Sequence, residues 1–265
     1  MLAVSDMDLF NFDPNATFSF FLTLFRISLI LFVLPFFGGQ AIPKTVKAAL
    51  CLVMAYALWP RLSFPGVMFP ANPWDILFVL AGELMIGLIL SLVVRFLFAA
   101  VQMGGQLIGF QMGFAMINVV DPLTGASVVI TSHFLYMTTL LTFLSLNGHL
   151  YLLQGLADSF ALIPPGGLLI SGVLGESMVH LAGQIFVLAV KIAAPVMAAL
   201  FLVDLALALV GRAAPQMHVL ILGFPLKIGV GFFFLGILFT TLARHVGAFI
   251  VNMGPMFHQL LRAMG

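Results

Sequence analysis

Residues Gly104–Pro122 read GGQLIGFQMGFAMINVVDP. Gly105, Gly109 and Gly113 fall four apart, so on a helix they stack into one bare stripe that a second backbone can approach closely. Amides flank this stripe, with Gln102 and Gln106 at the same spacing. Phe110 with Phe114, and Met112 with Met116, repeat it again and set large, soft side chains beside small ones. Asp121-Pro122 then breaks the pattern. Such a segment offers hydrocarbon little apolar area and brings amides that lipid cannot satisfy. It is expected to face protein or a water-accessible pore.

Composition sets the solvent around it. Of 265 residues, 63% are hydrophobic and 7% charged. The mean hydropathy is +1.22. A soluble domain with an ordinary polar surface does not sustain these values, so the chain belongs in or against a membrane. Ten Lys and Arg against nine Asp and Glu leave a formal charge of +1, and the basic residues are scattered, which argues against nucleic acid as a partner. Cys51, inside the apolar run Ala48 to Trp59, has no second cysteine to pair with and reads as a small hydrophobe. Met1 to Phe12 carries Asp6 and Asp8 where a cleavable signal peptide has a basic n-region, so the first apolar segment is expected to stay in the mature protein.

Along the chain, Asp13-Pro14 supplies an acidic N-cap and a proline at the first helical position, and predicts a helix running to Leu34. Pro35, Gly38, Gly39 and Pro43 break it, and a second helix is expected from Lys44 to Trp59, before the proline-rich stretch Pro60 to Pro73. A third is expected from Trp74 to about Val101, with the glycine segment following as a separate piece. After Asp121-Pro122 come an apolar stretch from Ser127 to Leu146, an interruption at Asn147-Gly148-His149 and a short helix through Asp158. Pro164-Pro165-Gly166-Gly167 marks a division of the single 1–265 domain into two halves near 164–176. Further apolar segments follow at Ser177 to Val210 and Val219 to Phe249, then a short amphipathic tail. Pro195, Pro215 and Pro225, with Gly223, Gly229 and Gly231, predict interrupted helices, and the fold class is all-α.

Arg26, Glu83, Arg95, Lys191, Asp204 and Lys227 lie inside these segments or near their ends. Each would cost about 2.5–3.5 kcal/mol at a bilayer centre. Pairing of Glu83 with Arg95 and of Lys191 with Asp204, or contacts to a neighbouring chain, is one account, and a proton or ion relay is the other. Asp121 and Asp158 read as capping or turn residues beside Pro122 and Ser159.

Signs of catalysis are missing. The six histidines never approach a compact metal-ligand spacing, and no cysteine supports them. There is no GxxxxGK[ST] loop for nucleotide, and Ser127 lacks the second glycine of a nucleophile elbow. Neither an enzyme nor a cofactor is expected.

Five motifs in order carry a resemblance to a known family. They are Ala41-Ile42-Pro43-Lys44 with Lys47, Gly109-Phe110-Gln111-Met112-Gly113 leading to Asp121-Pro122, Asn147-Gly148-His149, Asp158-Ser159-Phe160 with Pro164, and Ala214-Pro215-Gln216 leading to Gly223-Phe224-Pro225-Leu226. Over nearly its whole length the chain resembles the FliR family, a single-copy component of the flagellar type III export gate. The resemblance implies an all-helical protein, like a fused FliP and FliQ unit, that joins FliP and FliQ homologues in a spiral around a narrow export channel. It also implies FlhB and FlhA homologues as neighbours, contact with lipid, and a place in the flagellar basal body at the bacterial inner membrane, partly raised to the periplasmic side. Unfolded flagellar proteins would pass through. The segment matching Gly105 to Asp121 would plug the pore, making Phe110, Met112, Phe114 and Met116 the gate candidates. Three rivals remain open at this point: a purely structural cement, the equivalent injectisome subunit, and a small-molecule secondary transporter built on Glu83, Arg95, Lys191 and Asp204.

Overall fold

The computed structural model describes residues 13–33, 37, 42–62, 70–114, 130–164, 166–169, 171–214, 216 and 219–265. Pro35, Gly38, Gly39, Met116, Asp121, Pro122 and Pro215 lie outside them. Within them the chain forms seven helices and no strand: α1 (Pro14–Val33), α2 (Lys44–Leu62), α3 (Pro73–Met112), α4 (Ile130–Ser145), α5 (Gly148–Leu162), α6 (Gly172–Ala213) and α7 (Val219–Met264). The fold is all-α.

Local chemistry explains the helix ends. Asp13 caps α1 through a 3.0 Å bond from the Asn15 amide to its Oδ1, with Pro14 in the position that needs no donor. The Pro43 carbonyl accepts from the amides of Val46 and Lys47 at 3.1 and 3.2 Å and opens α2 at Lys44. Asn147 takes a φ of 57°, and the Gly148 hydrogen faces the Phe143 ring, where a Cβ would come within 2.7 Å of Cζ. Asn147-Gly148 is therefore the tight corner between α4 and α5.

Two expectations about interruption do not hold. The glycine segment is not separate from the third helix, because α3 runs unbroken for 40 residues through Gly104 and Gly105 to Met112. Glycine in a helix interior costs about 1 kcal/mol against alanine, but here neighbouring chain packs into the space. A Cβ on Gly104 would lie 3.0 Å from the Ala189 carbonyl oxygen, and one on Gly105 would lie 2.6 Å from Ser132 Cα. Pro195 and Pro225 likewise sit inside continuous helices of 42 and 46 residues. A proline removes one ladder bond, which a long, packed helix sustains. Continuity also carries α7 through the expected amphipathic tail to Met264, and α2 past Pro60.

The chain forms two compact units, each assembled from separate stretches. The first comprises residues 1–92, 152–175 and 255–265. Its core includes Leu22, Ile27, Ile30, Ile86, Leu90, Leu156 and Phe257. Trp59 of α2 stands edge-on to Phe20 of α1 at 5.9 Å, and the backbone amide of Leu169 bonds the Met264 carbonyl at 2.6 Å. The second unit comprises residues 93–151 and 176–254. Leu97, Phe98, Ile108, Leu135, Phe143, Ile192, Val196, Leu238, Leu242 and Val246 fill its core.

Among the described residues, four helices are long and apolar enough to cross a membrane: Pro14–Phe32, Pro73–Met112, Gly172–Ala213 and Ile221–Met264. Cys51 is buried in α2, and desolvation pushes its thiol up, in keeping with a packed small hydrophobe.

Candidate gate segment and embedded charges

The end of α3 is a designed stop. Gly113 has a φ of 93°, its amide bonds the Phe110 carbonyl at 3.1 Å, and the Phe114 amide bonds the Gly109 carbonyl at 3.0 Å. This pair of bonds with a left-handed glycine is the Schellman termination. Of the three glycines in the stripe, Gly105 and Gly109 are buried, Gly105 against Ser132, and Gly113 is a terminator.

The large residues of the segment divide by face. Gln106 and Phe110 share the exposed side, Phe110 being 52% exposed, while Phe114 is half-buried. Met112 is fully buried and fills the place where a side chain on Gly231 would be: a Cβ there would lie 2.7 Å from Met112 Cε. The Phe224 ring covers Gly113, and Gln111 Nε2 donates to Asp204 Oδ2 at 3.2 Å. The last turn of α3 is therefore held by α6 and α7 within the second unit, with Phe110 left outward.

The embedded charges pair otherwise than expected. Glu83 and Arg95 are twelve positions apart on α3, about 18 Å along the axis, and Lys191 and Asp204 are separated by about 20 Å on α6. Neither spacing permits a contact. Instead Glu83 meets Arg26 of α1 in a two-bond fork, Nε to Oε2 at 2.5 Å and Nη2 to Oε1 at 2.8 Å, with both side chains at 0% exposure. The same guanidinium donates to the carbonyls of Ser159 at 2.8 Å and Ile163 at 3.2 Å, at the C-terminal end of α5, and lies 4.6 Å from the Phe160 ring centre. A cation suits these carbonyls at the negative end of a helix, that of Ser159 also accepting from the Ile163 amide at 3.1 Å. Asp204 pairs with Lys227 of α7. Beside that pair opens a cavity of about 300 Å³ whose lining includes Gly223 and Phe224.

Asp158 does not cap a turn. It lies within α5, half-buried, and its Oδ2 is 3.2 Å from His258 Nε2. His149 is half-buried and its buried Nδ1 has no hydrogen-bond partner among the described residues. Arg95 acts on Tyr136: burial pushes the phenol up, and the guanidinium pulls it partly back. Lys191 is exposed. Ser159 and Ile163, whose carbonyls hold Arg26, were missed as partners, and the only sequence signal was that Ser159 belongs to the Asp158-Ser159-Phe160 motif. No group of three metal-ligating side chains forms among the described residues.

The family described as "Bacterial export proteins, family 1" matches residues 17–253. The chain is 35% identical over 226 residues to the flagellar biosynthetic protein FliR of Bacillus subtilis (strain 168), covering 82% of this chain and 84% of that protein. The chain belongs to the FliR family. The FliR of Escherichia coli (strain K12) is 32% identical over 212 residues, 80% of each chain, and that of Aquifex aeolicus (strain VF5) 33% over 211, 79% and 81%. The span matched by the FliR family holds Arg26, Glu83, the stop at Gly113, the Asn147-Gly148 corner and the Asp204 and Lys227 pair. FliR membership makes the chain a component of the flagellar protein export apparatus.

Proposed function

We propose that this FliR-family chain closes the channel of the flagellar type III export gate with the end of α3. The observation that carries the reading is Phe110: a large apolar ring left outward beside the buried Ile108, Gly109 and Met112, on a last turn fixed by Met112, Gln111 and Gly113. Phe110, with Phe114, would form the soft barrier around which unfolded flagellar subunits pass, while Gly105 and Gly109 keep the segment close to its supporting helix. Met112 then serves as anchor. Met116 belongs to the same proposed gate and lies outside the described residues.

The role is structural and gating, without catalysis or a cofactor. FliP and FliQ homologues are the proposed assembly partners, for which the chain would nucleate a spiral, with FlhB and FlhA homologues nearby. The proposed site is the basal body in the bacterial inner membrane, with part of the chain toward the periplasm. The transporter alternative was built on Glu83, Arg95, Lys191 and Asp204. Arg26 with Glu83 and Asp204 with Lys227 are instead self-satisfied pairs in different units.

Ion leak through cells carrying Phe110→Ala and Phe114→Ala together tests the gate. Conductance above that of the parent is expected, and unchanged conductance with normal assembly would leave the segment a structural cement.

A further inference from the structure

Three grips on the last turn of α3 come from one stripe of α7. Phe224, Lys227 and Gly231 follow one another at three and four residues, which is one face of a helix. Gly231 leaves the space that Met112 fills, and the Phe224 ring lies on Gly113, where an added Cβ would come within 2.7 Å of Cε1. Lys227 acts through Asp204, which pairs with it and also accepts from Gln111 Nε2 at 3.2 Å. Residues 111, 112 and 113 are thus each held, and the turn moves only if this stripe gives.

Phe224 is the place where it can give. Its half-buried side chain also lines the cavity of about 300 Å³ in the second unit, with Leu207, Ala208 and Gly223 as apolar wall beside the Asp204 and Lys227 pair. A cavity of about 150 Å³ already takes benzene, which is this ring without its methylene. On a helix phenylalanine has two ordinary χ1 positions, so a second place for the ring is discrete. The backbone beside it is weakened as well: Gly223 precedes it, and Pro225 gives no amide to the Ile221 carbonyl one turn earlier. Helices bend at such points.

We propose that Phe224 is the catch of the gate: with its ring on Gly113 the last turn of α3 is held closed, and with its ring in the cavity that turn is released and carries Phe110 with it. Gln111, Asp204 and Lys227 are positioning residues of the closed state. The proposal deepens the gate reading above and rests on it.

A reversible tether tests whether the turn moves. Gln111→Cys with Asp204→Cys, in a chain whose single cysteine is removed by Cys51→Ala, takes a short bis-thiosulfonate that forms a disulfide with each thiol and releases sulfinate. In cells, the linked assembly should secrete flagellar subunits about tenfold less or lower still, and a reductant should restore secretion. Ala208→Phe tests where the ring goes, because it fills the cavity and leaves Phe224, Gly113 and Gln111 in place. Normal assembly, parental ion leak and a similar loss of secretion are expected, whereas Phe224→Ala should raise the leak. Phe110→Ala with Phe114→Ala runs in parallel. If that pair leaks but the linked assembly secretes as well as the reduced one, or Ala208→Phe secretes like the parent, the catch falls and the gate stands. If that pair assembles and does not leak, both fall. Where Ala208→Phe or Phe224→Ala prevents assembly, the tether decides alone.

Discussion

Arg26 uses all five of its donors: a fork to Glu83, the carbonyls of Ser159 and Ile163 at the end of α5, and the Ser159 hydroxyl at 3.4 Å. Burying both charges is costly, and their attraction with the added bonds roughly offsets it, so the pair organises α1, α3 and α5 more than it adds net stability. The consequence is asymmetric. Glu83→Leu should destabilise the chain by about 3–5 kcal/mol because it strands a buried guanidinium, whereas Arg26→Met with Glu83→Leu should recover much of the loss. Thermal midpoints in mild detergent would measure both, and a single variant close to the parent would show the pair to be dispensable. Gly113 makes a second residue-scale prediction. Gly113→Ala places a side chain at a φ of 93° and 2.7 Å from Phe224, so about 1–2 kcal/mol of backbone cost is joined by a clash. Faster hydrogen exchange at the amides of residues 108–112 is the expected sign.

Among the elements, what could be read from sequence was what local chemistry fixes. Asp13-Pro14 announces α1 because the cap and the amide it holds are two residues apart. Asn147-Gly148 announces a corner for the same reason. The length of α3 was not legible: its glycines look like a break until Ala189 and Ser132 are seen lying against Gly104 and Gly105. Nor was the partner of Arg26, 57 positions away across two turns of the chain. Gly105→Val tests the close approach. Its Cβ would meet Ser132 Cα, which no rotamer change relieves, and Thr131 Oγ1 donates to the Gly105 carbonyl at 2.8 Å. A loss of about 1–3 kcal/mol from overpacking, with α4 losing exchange protection first, is expected. Retained stability would mean that the two helices separate without cost.

At the scale of the whole molecule, α3, α6 and α7 have 40, 42 and 46 residues, each about 60 Å or more. Hydrocarbon is only about 30 Å thick. Much of each helix must therefore be covered by something other than lipid, although Phe201, Leu205 and Leu209 are as exposed on α6 as Phe186. Single cysteines along α6, probed with a membrane-impermeant maleimide, should show lipid protection over one half only when the chain is alone, and over both halves when partners are present. Equal protection throughout in the lone chain would favour a strongly tilted or bilayer-thickening arrangement instead. The proposed gate segment is legible in sequence as a pattern, but which of its rings turns outward depends on Gly231 and Phe224, more than a hundred positions later.

Such separations acquire a time when the protein is made. The carbonyl of Ser159 lies 133 positions after Arg26, so at 5–20 residues per second the ribosome delivers it roughly 7–27 s later. Residues 255–265, which bring Phe257 against Gly155, come later still. Throughout that interval the nascent α1 carries a guanidinium charge that its surroundings have not yet enclosed. Insertion machinery must either shelter this helix or leave it loosely seated until the chain catches up, so the order of synthesis sets when the first unit can close.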